Sequence, residues 1–369
     1  MASDRDPLDP SRFGSGAPFS LGVEEELLLA DPGDGRLVNG GGGLLERLSE
    51  PARGEVEREV HACQVELITD VCSDVGEAMD VLTGLRRAVL ATGVGLVGAG
   101  THPTAGEGDA EITERERYRL IRDLLGDALA TPVSALHVHV GMPDPATAVR
   151  AFNGMRRHLP LLQALSANSP FRHGRDTGLA SAREITLRGW PRSGAPRAFD
   201  DYADFESFTR RLTEVAGVPD YTFHWWKLRP HPRLGTVEIR ALDVQLSPAH
   251  TAGLVAAVHA LAHHEAESDP VPGPSPEVLD EASFRAARHG VEASLPDAAG
   301  HLRPVTELLE ETVELVRPSA RALSCEAPLD GLFDLVSRGG GAGLQRGAAG
   351  EQGDTGAVLA MLLAAARPD

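Results

Sequence analysis

Four short segments that alternate like β-strands each set charged side chains on one face, and this pattern constrains the chain more tightly than its composition does. In Phe19–Leu29, Val23, Leu27 and Leu29 share a face while Glu24 and Glu26 share the other, and Glu25 takes the apolar parity. A second strand is predicted over Val56–Thr69, with Glu59 and with Glu66 interrupting Gln64-Val65-Glu66-Leu67-Ile68-Thr69. His137 and His139 share a face of Leu136–Met142, opposite Val138 and Val140. Glu238 and Arg240 share a face of Thr236–Leu242, opposite Val237 and Ile239. Like charges on one strand face repel, so such a pair is stable where water solvates it or a cation bridges it. Taken singly, each segment allows a solvated edge, or a pair of hydrogen-bonded structural histidines. Four segments with the same arrangement point to convergence on one site. Carboxylates with an occasional imidazole suit magnesium or manganese better than zinc.

The intervening sequence supplies helices. Ser73 is placed to cap a helix whose Val75, Met79, Leu82, Leu85 and Val89 fall on one face. Further helices are predicted from about Thr113 to Leu125, Pro145 to Arg157, Leu161 to Ala167, Asp204 to Val215 and Pro248 to Glu267. Short strands are predicted near Leu37, over Val94–Val97 and over Tyr221–Leu228, and a long Gly/Pro/Arg-rich loop over Asn168–Asp200. Strands separated by helices, without a strict βαβ rhythm, predict an α+β fold around a mostly antiparallel sheet. Residues 1–17, rich in Asp, Pro and Gly, read as a disordered leader, and residues 18–369 as a single catalytic domain with a linker over 269–276 before a helical C-terminal part.

A net charge of -19 disfavours nucleic acid or an anionic membrane as a partner and leaves small molecules. No signal-peptide run or membrane span is seen, and Cys63, Cys72 and Cys325 have no metal-ligand spacing, so packing thiols and a cytoplasmic location are expected. Gly93-x-Gly95-x-x-Gly98 matches a dinucleotide fingerprint in letters only, because it follows a predicted helix instead of opening one after a strand. Lys227 is the sole lysine and is followed by leucine, which excludes a Walker-type phosphate loop and leaves any phosphate clamp to arginine.

Taken in order, Leu21-Gly22-Val23-Glu24-Glu25-Glu26-Leu27, Gln64-Val65-Glu66-Leu67-Ile68-Thr69, Gly100-Thr101-His102-Pro103, His137-Val138-His139-Val140-Gly141, Leu165-Ser166-Ala167-Asn168-Ser169-Pro170-Phe171, Asp176-Thr177-Gly178, Pro191-Arg192-Ser193-Gly194, Arg229-Pro230-His231-Pro232 and Gly235-Thr236-Val237-Glu238-Ile239-Arg240 resemble the glutamate–cysteine ligase type 2, or carboxylate–amine ligase, family. The resemblance implies a glutamine synthetase-like fold, a curved, mostly antiparallel sheet forming a funnel flanked by helices. It implies ATP and Mg2+ or Mn2+ as cofactors, an acid (glutamate) and an amine as substrates, an amide formed through an acyl phosphate, and a homo-oligomer, a dimer. Carried over by position, Glu24, Glu26, Glu59, Glu66, His137 and Glu238 would hold metal, Arg240 and Arg183 would act on phosphate, and Arg240, His139 and Arg229 would bind nucleotide. The family pattern has an aromatic residue where Ala182 stands and an acid where Lys227 stands, which makes Lys227 a candidate specificity position beside the alternative of a solvated surface lysine. A phosphotransferase of the same fold class and a metal-binding regulatory module without turnover are the rival readings.

Overall fold

The computed structural model describes residues 6–297 and 299–368. Along the chain come β1 Leu21–Ala30, α1 Gly41–Arg47, α2 Glu50–Arg53, β2 Val56–Arg58, β3 Gln64–Ile68, α3 Val75–Ala91, β4 Gly95–Val97, α4 Glu116–Leu125, β5 Ala135–Gly141, α5 Pro145–Met155 and α6 Leu159–Ser166. There follow β6 Phe171–Arg172, β7 Arg175–Asp176, α7 Ala182–Leu187, α8 Tyr202–Ala216, β8 Leu228–His231, β9 Thr236–Asp243, α9 Pro248–Glu267 and α10 Pro276–His289. The C-terminal part holds β10 Ser294–Pro296, β11 Leu302–Pro304, α11 Val305–Ala322, α12 Glu326–Ser337, α13 Gly340–Ala349 and α14 Thr355–Ala365.

The main sheet is open, in the order β2-β3-β1-β5-β9-β8 with β4 paired to the end of β1, and every pairing is antiparallel. This is the α+β, mostly antiparallel arrangement that the alternating segments predict. A register irregularity between Leu136 and Val138 breaks the β5–β9 ladder, the kind of extra residue that bends a strand. One face of the sheet is covered by helices, with α9 buried along most of its length and packed on α3, α5, α11, α12 and β5.

The face-to-face alternation of β1 is visible in its burial: Leu21, Val23, Glu25 and Leu27 are fully buried against the helices, while Glu24 and Glu26 on the other face are partly open. Glu25 is tolerated in the core because Arg86 of α3 grips both carboxylate oxygens at 2.9 and 2.7 Å and Thr251 of α9 donates to one at 2.6 Å. Both charged side chains have no solvent exposure. Arg86 also donates to the carbonyls of Gln245 and Leu246, just after β9, so one buried ion pair ties β1 to two helices and to the chain leaving the sheet.

Several expectations are corrected. Val56–Thr69 is a hairpin, β2 then β3, because Glu59 turns back to accept the N–H of Val60 at 2.8 Å and the imidazole of His61 bonds Gln64 and the Leu129 carbonyl. Tyr221–Leu228 is not a strand: the Asp220 side chain captures the Thr222 N–H at 2.8 Å and starts a 3-10 turn, and strand pairing begins only at Leu228. The partner near Leu37 is a single bridge to Ala30. The α3 cap is Asp74, accepting from the Glu77 N–H at 2.9 Å, while Ser73 bonds the Glu77 side chain. The loop 168–200 carries the β6–β7 hairpin and α7. Residues 6–17, expected to be disordered, are ordered: Leu8 and Phe13 are buried, Tyr202 donates to the Leu8 carbonyl and Gly14 bonds Met142. Two apolar anchors outweigh the polar composition there, and residues 1–5 lie outside the described residues. Residues 269–275 connect α9 to α10 without helix, after which α10 packs on α6 and α12 on α9. Gly98, the last glycine of the apparent dinucleotide motif, is a close backbone approach, since a Cβ there would sit 2.2 Å from the Gln245 carbonyl oxygen.

Replacing Glu25 by Gln leaves the Arg86 guanidinium buried without a counter-charge and is expected to cost about 3–5 kcal/mol of unfolding free energy. Urea denaturation measures it, and Glu25→Leu with Arg86→Met should recover part of the loss; a Glu25→Gln variant as stable as the parent would show that the pair does not hold these elements together.

Candidate active site

On the open face of the sheet the strand register sets the acids and imidazoles side by side. Glu24 stands opposite His137, Glu26 opposite Glu66, and His139 opposite Glu238, which in turn faces Arg229 on β8. Glu24 lies at the centre: one carboxylate oxygen is 3.0 Å from His137 Nδ1 and the other 3.3 Å from His139 Nε2. Glu238 is gripped by Arg229 and by Arg240. Glu59 reaches the same place from the β2–β3 connection. Among the described residues, three overlapping groups have ligand atoms close enough to share a cation, namely Glu24, His139 and Glu238; Glu24, Glu66 and His137; and Glu26, Glu59 and Glu66.

Environment divides these identical glutamates into two kinds. Burial would raise the Glu24 carboxyl, but His139 and His137 outweigh it and hold it well below the usual range; for Glu238, Arg229 and Arg240 do the same. Glu26, pushed by burial and then by the charge of Glu59, rises to about 8 despite Arg183 and Arg240. Burial followed by the neighbouring carboxylates also raises Glu66, and burial raises Glu59. Burial and then Arg240 lower His137 to about 4, so its ring is neutral, as a metal ligand requires.

A divalent cation fits these residues. His139 Nδ1 is bonded to Thr236 Oγ1 at 3.0 Å, which turns its Nε2 between Glu24, 3.3 Å away, and Glu238; burial lowers this imidazole but the two carboxylates outweigh it and raise it, so a cation shared by the three would take the place of its proton. The row also separates two cavities. Glu24, Glu26, Glu66 and His137 line one, with Arg183, Arg229 and Arg240 on its walls; Glu24, His139 and Thr236 line the other, which residues 12–17 help to enclose.

The sequence matches the profile of glutamate–cysteine ligase family 2 over residues 20–357. The chain belongs to that family. A Rubrobacter xylanophilus protein provisionally named glutamate–cysteine ligase 2-1 is 39% identical over 358 residues, covering 95% of each chain. A Halobacterium salinarum glutamate–cysteine ligase is 40% identical over 303 residues, 76% of this chain and 83% of that one. In fold, the chain is similar to a Francisella tularensis glutamate–cysteine ligase solved in complex with AMP, at a TM-score of 0.71 and 12% identity over 95% and 90% of the two chains. The chain is thus an enzyme of the carboxylate–amine ligase class, and its fold is glutamine synthetase-like. No helix among the described residues is long and apolar enough to cross a membrane.

Every residue that the resemblance to this ligase family singles out is on or beside the row, though two of them are held in ways the sequence does not reveal. Arg183, in the first turn of α7, is braced from behind by the fully buried Asp243: the two are 3.6 Å apart, and Asp243 also accepts from the Asn168 N–H, Ser169 Oγ and Ser181 Oγ at 3.0, 2.7 and 2.9 Å. Arg183 Nη2 donates to the Arg240 carbonyl, while its Nη1, on the Asp243 side, and its Nε are buried without a hydrogen bond among the described residues. Lys227 is buried, not a solvated surface lysine, and it lines the first cavity; its ammonium donates to Glu184 and Ser283 at 2.6 Å each, with Gln163 holding the second Glu184 oxygen. Its charge is therefore paired, so it does not act as a bare cation toward an incoming amine. Asp243, Glu184 and the aromatic wall of the first cavity, Tyr118, Trp190 and Trp225, carry no repeated sequence signal; only the buried-strand context of Asp243 in Ala241-Leu242-Asp243-Val244 hints that it needs partners. His102, within a family-like run, serves the fold by bonding the Gly35 carbonyl and accepting from the Ala105 N–H.

Because Glu26, Glu59 and Glu66 are shifted upward, the metal-free folded chain binds more protons than the unfolded chain between the ordinary glutamate range and about pH 8, and its stability should fall as pH rises through that window. Mg2+ must displace those protons, so its stabilising effect should grow with pH. Thermal unfolding in chelator and in Mg2+ at pH 6 and pH 8 checks this. An increment that is the same at both pH values would count against a cation held by these three carboxylates.

Proposed function

We propose that this enzyme couples ATP hydrolysis to amide formation between glutamate and an amine through an acyl phosphate. The observation that supports this most directly is the partition: a row of acids and imidazoles fit for divalent cations, with two cavities meeting at Glu24 and arginines on one side. The cavity that residues 12–17 help to enclose has mostly backbone and apolar walls, with Ile68, Val71 and Leu234 among its side chains, which suits a nucleobase and ribose better than two charged small molecules. The triphosphate would then approach Glu24 and His139 from that side, and the donor acid and amine would occupy the arginine side.

Glu24, His139, Glu238, Glu66, His137, Glu26 and Glu59 would hold the divalent cations, whose chemistry is to neutralise charge on the transferring phosphoryl group. A carboxylate is a poor electrophile, and its activation is what the arginines serve. Arg183 lines the first cavity and presents its positive charge there to a phosphoryl or carboxylate group, and Asp243 keeps the guanidinium from turning away. Arg240, held by Glu238, presents fixed positive charge on the same wall, where charge aimed in advance at a developing anion stabilises the transition state. A carboxylate oxygen of glutamate attacks the γ-phosphorus and ADP leaves. The amine lone pair then attacks the acyl carbon, the C–N bond forms, the C–O bond to phosphate breaks, and nitrogen loses a proton. The sheet's acids exclude like-charged groups from the centre, so the donor's carboxylate is steered to the arginines. Lys227 bears on specificity through Glu184, as one half of a buried pair beneath the cavity wall.

Glu24→Gln and Glu238→Gln keep shape but remove a charge from the row, and each is expected to lower turnover by at least about two orders of magnitude with an unchanged circular dichroism spectrum. Phosphate release with Mg2+, ATP, glutamate and a panel of amines is the assay. Near-parental turnover in both variants would sink the assignment of the row, and ADP formation that leaves a phosphorylated product, with no amine-dependent release of free phosphate, would favour a phosphotransferase.

A further inference from the structure

Metal and phosphate chemistry account for the acids and arginines of the first cavity but leave one wall without a task. Trp190 and Trp225 stand edge-to-face at 5.3 Å, both half-buried, and Leu187 and Ile121 extend the same wall. Its polar groups are already spent: Trp190 Nε1 donates to the Ala128 carbonyl, Ser193 Oγ to the carbonyls of Leu187 and Trp190, and Thr222 Oγ1 to Asp220. A ligand part resting there meets a surface that is apolar apart from the indole N–H of Trp225, which makes no hydrogen bond among the described residues. At the same cavity Arg117 lies 4.4 Å from the Phe223 ring centroid, exposed and without a hydrogen bond or ion pair among the described residues, within electrostatic reach of Asp220 and Glu59. No carboxylate closes on that guanidinium, which leaves it open to a ligand anion.

We infer that the acceptor amine is an α-amino acid with a bulky apolar or aromatic side chain, and that Trp190 and Trp225 select it. This rests on the ligase reading above and deepens it. The side chain lies on the tryptophan wall, the α-carboxylate meets Arg117, and the amino group turns toward the carboxylates and the activated acid. A half-open pair of indoles gives a large, rigid apolar surface that an apolar side chain covers and a thiol or a hydrogen does not. A nucleobase could also stack on such a wall, but the other cavity suits it, and Arg117 then has no partner.

The test uses the full chain with Mg2+, glutamate and a non-hydrolysable ATP analogue, and follows intrinsic tryptophan fluorescence on titration with phenylalanine, leucine, cysteine and glycine. Phenylalanine and leucine are expected to bind at least about tenfold more tightly than cysteine or glycine. The signal should persist in Trp226→Phe, which removes the deeply buried third tryptophan. In Trp225→Ala, or Leu187→Ala should the first variant lose its folded circular dichroism, binding measured by calorimetry should weaken about tenfold for phenylalanine and less than about twofold for glycine. Arg117→Ala should weaken all the amino acids alike and leave phenethylamine, which lacks the carboxylate, unaffected. Equal affinity for glycine and phenylalanine, equal weakening of all ligands by Trp225→Ala, or a Trp225-dependent response to the ATP analogue alone would each overturn the inference. Turnover is read separately: selective binding without phosphate release for any acid sinks the ligase reading and leaves the pocket, whereas release that is faster with glycine or cysteine than with phenylalanine sinks the pocket and leaves the ligase.

Discussion

The buried pair of Glu25 and Arg86 is the constraint from which the site follows. A strand that exposes Glu24 and Glu26 on one face must turn Glu25 into the core, because alternation leaves it no other direction. An uncompensated carboxylate in that position would cost several kcal/mol (about 1–3 for a lost hydrogen bond to a polar group, more for a charge). Arg86 and Thr251 remove that cost, and in doing so they fix β1 against α3 and α9. A slip of one residue would exchange the faces, burying Glu24 and Glu26 without counter-ions and turning Glu25 into the cavity. The register that assembles the active face is thus held from its rear.

What could be read from the sequence was whatever depends on local alternation. Glu24 and Glu26, His137 and His139, and Glu238 and Arg240 announce a shared face by spacing alone, and the strand pairing brings those faces together. The same rule fails where a side chain captures the backbone. Tyr221–Leu228 alternates by composition, but Asp220 diverts it into a turn, and this diversion frees Trp225 to line a cavity instead of pairing in the sheet. Glu59 lies in a segment that reads as one strand, yet it is carried on the connection between two, folded back on its own next N–H. The leader was misjudged because polar composition averages over Leu8 and Phe13, the two side chains that anchor it.

Partners that come together only in the tertiary structure were illegible. Nothing near Arg183 indicates that Asp243, distant in the chain, will brace it, and nothing near Lys227 indicates that Glu184 and Ser283 will neutralise it. A lone lysine reads in the sequence as an isolated positive charge. In the fold it is one half of an ion pair, so the wall it belongs to is close to neutral. The distinction matters for specificity, since a paired charge shapes a pocket by volume and position more than by long-range field.

The five carboxylates of the row show how far neighbours, not residue type, determine chemistry. Glu24 and Glu238 keep their charge because imidazoles and guanidinium groups surround them, so that part of the site is organised before anything binds. Glu26, Glu59 and Glu66 have mainly one another, and without a cation burial and their mutual repulsion shift all three toward the protonated form. The row therefore has one end that the protein organises and one that its ligand must complete. Arg183 and Arg240 lower Glu26 while burial and Glu59 raise it, which couples the two walls of the cavity: a phosphoryl or carboxylate group that takes up the positive field of those arginines also removes part of what favours charge on Glu26.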